Sequence, residues 1–123
     1  MSKFNSIEEI EIWKDACELA IEIYQITNTP KLKFDFSLKD QLRRSAVSIS
    51  SNIAEGFERE TNKEFIRFLY IAKGSCGELR SQIYIAFRIG YIEEKIYISL
   101  LDKCKILSRK IQKLITYLKN HLD

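Results

Sequence analysis

At 123 residues, with 46% hydrophobic and 30% charged side chains, the chain is long enough for one domain with a real core and is not disordered in composition. One Pro and four Gly are few for a β-rich or loop-rich protein, and a net charge of +3 is modest for a dedicated nucleic-acid binder. The longest apolar runs, 68–72 and 83–87, are five residues each, far short of the roughly 18–20 that a membrane span needs.

In chain order, the first helix is predicted to start at Ser6, where Ser6 and Glu9 have the spacing of a capping box. Its apolar series is Ile10, Trp13, Cys17, Ala20 and Tyr24, which places Trp13 in the core. It ends near Thr27; Pro30 follows, and the segment to Phe36 reads as a linker without a period. The second helix is predicted from Ser37, with Asp40 in the box position, to a terminating Gly56. Its stripe is Leu38, Leu42, Ala46, Ile49 and Ile53.

The third helix starts at Thr61, boxed with Glu64, and carries Phe65, Leu69, Ala72, Cys76, Leu79, Ile83 and Ala86 before Gly90 ends it. The fourth begins near Glu93 with Tyr97, Leu100, Cys104, Leu107, Ile111, Leu114 and Leu118. Alternating steps of four and three are the seven-residue repeat of bundle packing, and the short connections force antiparallel neighbours. The expectation is an all-α, up-down-up-down antiparallel four-helix bundle forming one domain over residues 1–123.

Helices three and four hold more apolar residues than one core needs. Ile66, Phe68, Tyr70, Ile71, Tyr84, Ile85, Phe87 and Ile89 lie beside the third stripe; Ile96, Ile98, Leu101, Ile106, Ile115 and Tyr117 lie beside the fourth. Some must point away from a single bundle's centre, so the chain is expected to self-associate.

The signature of the second helix runs Gln41-Leu42-Arg43-Arg44-Ser45-Ala46-Val47-Ser48-Ile49, then Ser51-Asn52-Ile53-Ala54-Glu55-Gly56. Arg59, Lys63-Glu64-Phe65, Arg67-Phe68-Leu69, Ala72, Gly74-Ser75, Glu78-Leu79 and Gly90-Tyr91-Ile92 follow. This pattern resembles the four-helix bundle family associated with intervening sequences of bacterial 23S rRNA genes, sometimes described as ribosomal proteins, from Trp13 to about Leu118. More distantly it resembles the basic pentameric accessory proteins of diversity-generating retroelements. The resemblance implies a ring-like homopentamer, with RNA or a nucleoprotein such as a reverse transcriptase as partner. The chain departs from the pattern at Ser50, where the family often has Pro, and at Gly77, which beside Gly74 suggests a close helix approach.

Gln41, Arg44, Ser48, Ser51 and Glu55 form a polar stripe about 100° from the apolar one. It either packs against another helix in a hydrogen-bonded network, with Glu55 and Arg44 as partners, or lines a binding groove. With Asn52, Gly56, Phe68 and Glu78, the residues Gln41, Ser48, Ser51 and Glu55 are the candidate structural signature or interface.

Charge is unevenly placed. Residues 1–26 hold Glu8, Glu9, Glu11, Asp15, Glu18 and Glu22 against Lys3 and Lys14, whereas residues 103–120 hold six basic side chains and no acid. Lys103, Lys105, Arg109, Lys110 and Lys113, with Arg43 and Arg44, are the candidate nucleic-acid contacts, through charge rather than base reading. The alternative is a solvated Lys-rich face favoured by the helix C-terminus.

Cys17, Cys76 and Cys104 are odd in number and widely spaced, unlike a zinc or disulfide framework, and read as core thiols. A di-iron bundle needs Glu-x-x-His pairs, and the lone His121 is near the C-terminus. Residues 74–77 lack the Lys-Ser/Thr ending of a phosphate loop. No catalytic residue, metal, cofactor, small-molecule substrate or membrane association is expected. Without a leader-like N-terminus the location is expected to be cytoplasmic.

Overall fold

The computed structural model describes residues 6–7 and 10–122. Its helices are α1 (Glu11–Ile26), α2 (Pro30–Lys33), α3 (Phe36–Phe57), α4 (Asn62–Arg88) and α5 (Glu94–Lys119), with no strand among the described residues. The four long helices pack in the cyclic order α1, α3, α4, α5, with α5 closing back on α1. The cross-links between neighbouring helices agree with an antiparallel arrangement. Thr27 meets Arg43, Ser48 meets Ser75, Lys73 meets Gln112, and Glu22 meets Lys103 while Asp15 meets Lys110. The all-α antiparallel four-helix bundle read from the heptads is the fold.

The third predicted helix, α4, follows its sequence closely. Thr61 Oγ1 accepts the Glu64 N–H at 3.2 Å, and every residue of the predicted stripe is buried. At its C-terminus Gly90 takes φ +82°. The Gly90 N–H bonds the Phe87 carbonyl at 3.0 Å and the Tyr91 N–H bonds the Ala86 carbonyl at 2.8 Å, the paired closure that lets the chain turn sharply into α5.

Other boundaries differ from the sequence reading. The Ser6–Glu9 box falls partly outside the described residues; α1 begins at Glu11, after Ile10, without a side-chain cap. The α3 cap is Asp35 rather than Ser37: its Oδ1 accepts the Leu38 N–H at 3.1 Å while its Oδ2 accepts from Tyr91 Oη at 3.1 Å. Both residues are good caps, but only Asp35 also satisfies a tyrosine from the turn between α4 and α5. The segment read as a linker contains α2, whose Pro30 opens the turn and whose Leu32 is buried. Four residues are too few to display a period.

The phase of α1 is also corrected. Its buried residues are Ile12, Ala16, Leu19 and Ile23, not the Trp13, Cys17, Ala20 and Tyr24 series. Both series step by helical intervals, and the aliphatic one wins the centre. Trp13 and Ala20 pack half-buried at the margin, and Tyr24 is exposed beneath the Arg43 guanidinium. In α5, Ile115 joins the core while Leu114 lies at its edge.

Gly56 does not cap a helix. It lies within α3, buried against α4, where an added Cβ would sit 2.8 Å from Phe68 Cβ and 2.9 Å from Phe65 Cδ1. The two helices approach closely here. Gly74 and Gly77 do the reverse of what their spacing suggests: no neighbour lies within 4 Å of a Cβ at either, so they open the outer surface of α4.

Candidate functional site

Six of the seven basic residues read as candidate nucleic-acid contacts divide into two groups, and Arg44 lies apart, among the depressions that flank α3. Arg43 is fastened inside the monomer: its Nε donates to Thr27 Oγ1 at 2.8 Å, its Nη2 donates to Asn28 Oδ1 at 3.2 Å, and its plane covers the Tyr24 ring at 4.3 Å. Lys103 Nζ donates to both oxygens of Glu22 at 2.7 Å. Lys110 Nζ reaches Asp15 at 3.0 Å and Glu11 at 3.5 Å, and the Asp15 carboxylate raises the pKa of its ammonium. The two lysines answer the acidic first helix, and Arg43 fastens its C-terminal end. The charge asymmetry between the two ends of the chain is therefore partly an intramolecular match.

Lys105, Arg109 and Lys113 form the second group. They recur every fourth residue along the solvent face of α5, are exposed, and have no ion-pair partner among the described residues. Neighbouring α4 adds cations that sequence reasoning missed. Lys73 Nζ donates to Gln112 Oε1 of α5 at 2.7 Å, and the charge of Arg80 acts on both Cys76 and Cys104, which places Lys73 and Arg80 on the α5 side of α4. Lys119 Nζ donates to Tyr70 Oη at 2.7 Å and holds that phenol below its ordinary pKa. A signal for Lys73 and Arg80 existed: they are seven apart, each directly after a core residue, Ala72 and Leu79. The two acids of α4 lie elsewhere, Glu64 beside Arg67 and Glu78 on the α3 side. The outer face of α4 and α5 is thus predominantly positive, with the exposed Asp102 three residues before Lys105 and Gly77 on the open outer surface of α4.

The polar stripe of α3 serves two ends. Ser48 and Ser75 hydroxyls share a hydrogen bond at 2.9 Å, and Asn52 Nδ2 donates to Ser48 O at 2.8 Å and to Ser48 Oγ at 3.0 Å. That network joins α3 to α4 beside the core. Outward of it, Gln41, Arg44, Ser45, Ser48, Glu78 and Gln82 line a shallow groove of about 330 Å³, in which Gln82 Oε1 is buried without a hydrogen-bond partner. Ser51 belongs to a second depression, with Tyr24, Asp40 and Val47. Glu55 pairs with Arg59 at 3.0 Å rather than with Arg44, because Arg44 is about 16 Å away along the helix. Phe68 packs against Gly56, with the Arg59 and Arg67 guanidinium groups 4.7 and 5.3 Å from its ring centre.

A further groove of about 370 Å³ runs between α1 and α5, floored by Leu19 and Leu107 and edged by Asp15, Glu18, Glu22, Lys103 and Lys110. Its charges are mostly paired with one another. His121 donates through Nδ1 to the Tyr117 carbonyl at 2.7 Å and stacks on the Tyr117 ring. Among the described residues no three of His, Cys, Asp and Glu gather as metal ligands. No described helix is long and apolar enough to cross a membrane.

The family model described as 23S rRNA-intervening sequence protein matches residues 8–113. The chain belongs to that family. Its fold is shared with a crystal structure of a protein of unknown function from the S23 ribosomal protein family of Bacteroides thetaiotaomicron. The TM-score is 0.77 at 23% identity, over 85% of this chain and 97% of the other. No curated protein matches the chain. The matched region spans the α3 signature and ends at Lys113, so it includes most of the basic strip on α5.

Proposed function

We propose that this member of the 23S rRNA-intervening sequence protein family is a non-enzymatic, self-associating bundle that binds structured RNA through the outer face of α4 and α5. The observation that carries the reading is the line of Lys105, Arg109 and Lys113, exposed and without an acidic partner among the described residues. Each phosphate neutralised by a protein cation releases counterions condensed on the nucleic acid; a cation held by a carboxylate must first give up that pair, whereas an unpaired one need not. Lys73, Arg80 and Lys119 widen the same strip. Recognition of this kind reads backbone charge and shape, since no base-reading motif is present. A ring of copies multiplies the strip and raises its avidity. A nucleoprotein partner, a reverse transcriptase included, would meet this protein through the same face.

The exposed Ile71 and Ile85 of α4 support a second reading, a protein-interaction scaffold that touches no nucleic acid. A salt titration separates the two. Affinity for a structured RNA should fall steeply as salt rises. The variant K105E/R109E/K113E should bind weakly, with a salt slope smaller by about one for each phosphate it no longer neutralises. Absence of binding by the wild-type protein at low salt rejects the RNA reading in favour of the scaffold.

A further inference from the structure

The two most exposed large apolar side chains of the described molecule are close in sequence, Phe34 at 70% and Phe36 at 63% exposure. They sit at one end of the bundle, where α2 turns into α3, and the corner that holds them is tightly built. Leu32, just before them, is buried, and Asp35, between the two rings, caps α3 and accepts the Tyr91 hydroxyl. Exposure of the rings is therefore a property of a fixed backbone. Each ring is accompanied by a lysine: Lys33 Nζ lies 5.8 Å from the Phe34 ring centre, and Lys39 Nζ lies 4.9 Å from that of Phe36.

We propose that this corner, residues 33–39, is a stacking platform for unpaired nucleotides. The inference rests on the RNA-binding reading above and deepens it by naming the part of the RNA that is held. A base that has left its helix offers a flat face to an aromatic ring and carries a phosphate within reach of a flanking ammonium. The two rings and their flanking ammonium groups supply both. The Asp35 carboxylate between the rings keeps its charge, but both its oxygens are occupied by the Leu38 N–H and the Tyr91 hydroxyl, and Lys33 and Lys39 outnumber it. A lipid surface is a poorer match: two rings separated by an aspartate, each with an ammonium over it, form no continuous apolar wedge. The basic strip of α4 and α5 then holds paired backbone while the corner selects a loop or bulge.

The test uses fluorescence anisotropy of the full chain with two labelled RNAs, a hairpin with a long single-stranded loop and a blunt duplex of equal nucleotide count. Wild-type protein should prefer the hairpin. F34A/F36A should lose about fivefold or more of its hairpin affinity and keep its duplex affinity and salt slope. The rings are exposed, so the variant should retain its helical circular dichroism. F34W supplies an independent readout, emission quenched by the hairpin and not by the duplex. Equal hairpin affinity of F34A/F36A and wild type, with no quenching of F34W, overturns the platform and leaves RNA binding by the strip standing. Absence of wild-type binding to either RNA overturns both. Binding to phosphatidylserine vesicles that depends on Phe34 and Phe36, without a preference for the hairpin, also overturns the platform.

Discussion

Glycine shows how one residue type takes opposite roles within a single bundle. At Gly56 the missing side chain lets α3 touch α4: a Cβ there would meet Phe68 Cβ at 2.8 Å and the Phe65 carbonyl oxygen at 3.2 Å. Neither neighbour is the end of a flexible chain, so the backbones must separate. Overpacking of this kind costs about 1–3 kcal/mol, more than the helix propensity that Ala restores. Gly77 faces open space in the middle of α4, and there Ala should stabilise the monomer by roughly 0.5–1 kcal/mol. Chemical denaturation of G56A and G77A should therefore shift in opposite directions. A G56A midpoint equal to wild type would refute the close approach.

Between elements, α4 and α5 are joined by a buried seam that contains two thiols. Burial pushes both Cys76 and Cys104 up to about 12 from an ordinary value of 9, and the nearby Cys76 adds to the reluctance of Cys104 to ionise. A thiol whose folded pKa is raised stays protonated while the unfolded chain loses its proton. The unfolded state then binds fewer protons, and stability falls as pH rises from about 9 toward 12. Near pH 10.5 the loss is on the order of 2 kcal/mol for each thiol. Denaturation midpoints measured at pH 8 and pH 10.5 should drop further for wild type than for C76A/C104A. Equal drops would place the alkaline loss in other groups. The seam between α1 and α5 is held differently, by half-exposed ion pairs of Lys103 and Lys110. Such pairs contribute only a fraction of a kcal/mol each; their role is to set the register of α1, while the buried Leu19, Ile23, Leu107 and Ile111 supply the adhesion.

At the scale of the whole molecule, the surface of α4 has a divided character. Toward α5 it is basic; toward α3 it carries Ile71 at 44% and Ile85 at 47% exposure, two heptads apart, beside the groove with the unpartnered Gln82 Oε1. An apolar stripe beside Arg44 and Glu78, charges of both signs, suits a second copy of the same chain. Wild-type protein should scatter light as an oligomer at micromolar concentration. I71E/I85E should scatter as a monomer with unchanged helical content, since neither side chain is buried in the bundle. A wild-type monomer at that concentration would exclude self-association through this face.

Periodicity carried most of the architecture. Where one apolar stripe is much stronger than its rivals, as in α4, its members and its Thr61 and Gly90 boundaries follow from the residues alone, because backbone caps and burial are local demands. In α1 two stripes compete, and only contact with α3 and α5 decides that Ile12, Ala16, Leu19 and Ile23 face inward. The candidate site divides on the same principle. The sequence counts the cations of α5, yet only the packed bundle shows that Lys103 and Lys110 answer α1, that Arg43 fastens its end, and that Lys105, Arg109 and Lys113 have no such partner among the described residues. Charge is a property of a residue, but availability of charge depends on which surfaces meet, and that is settled by tertiary structure.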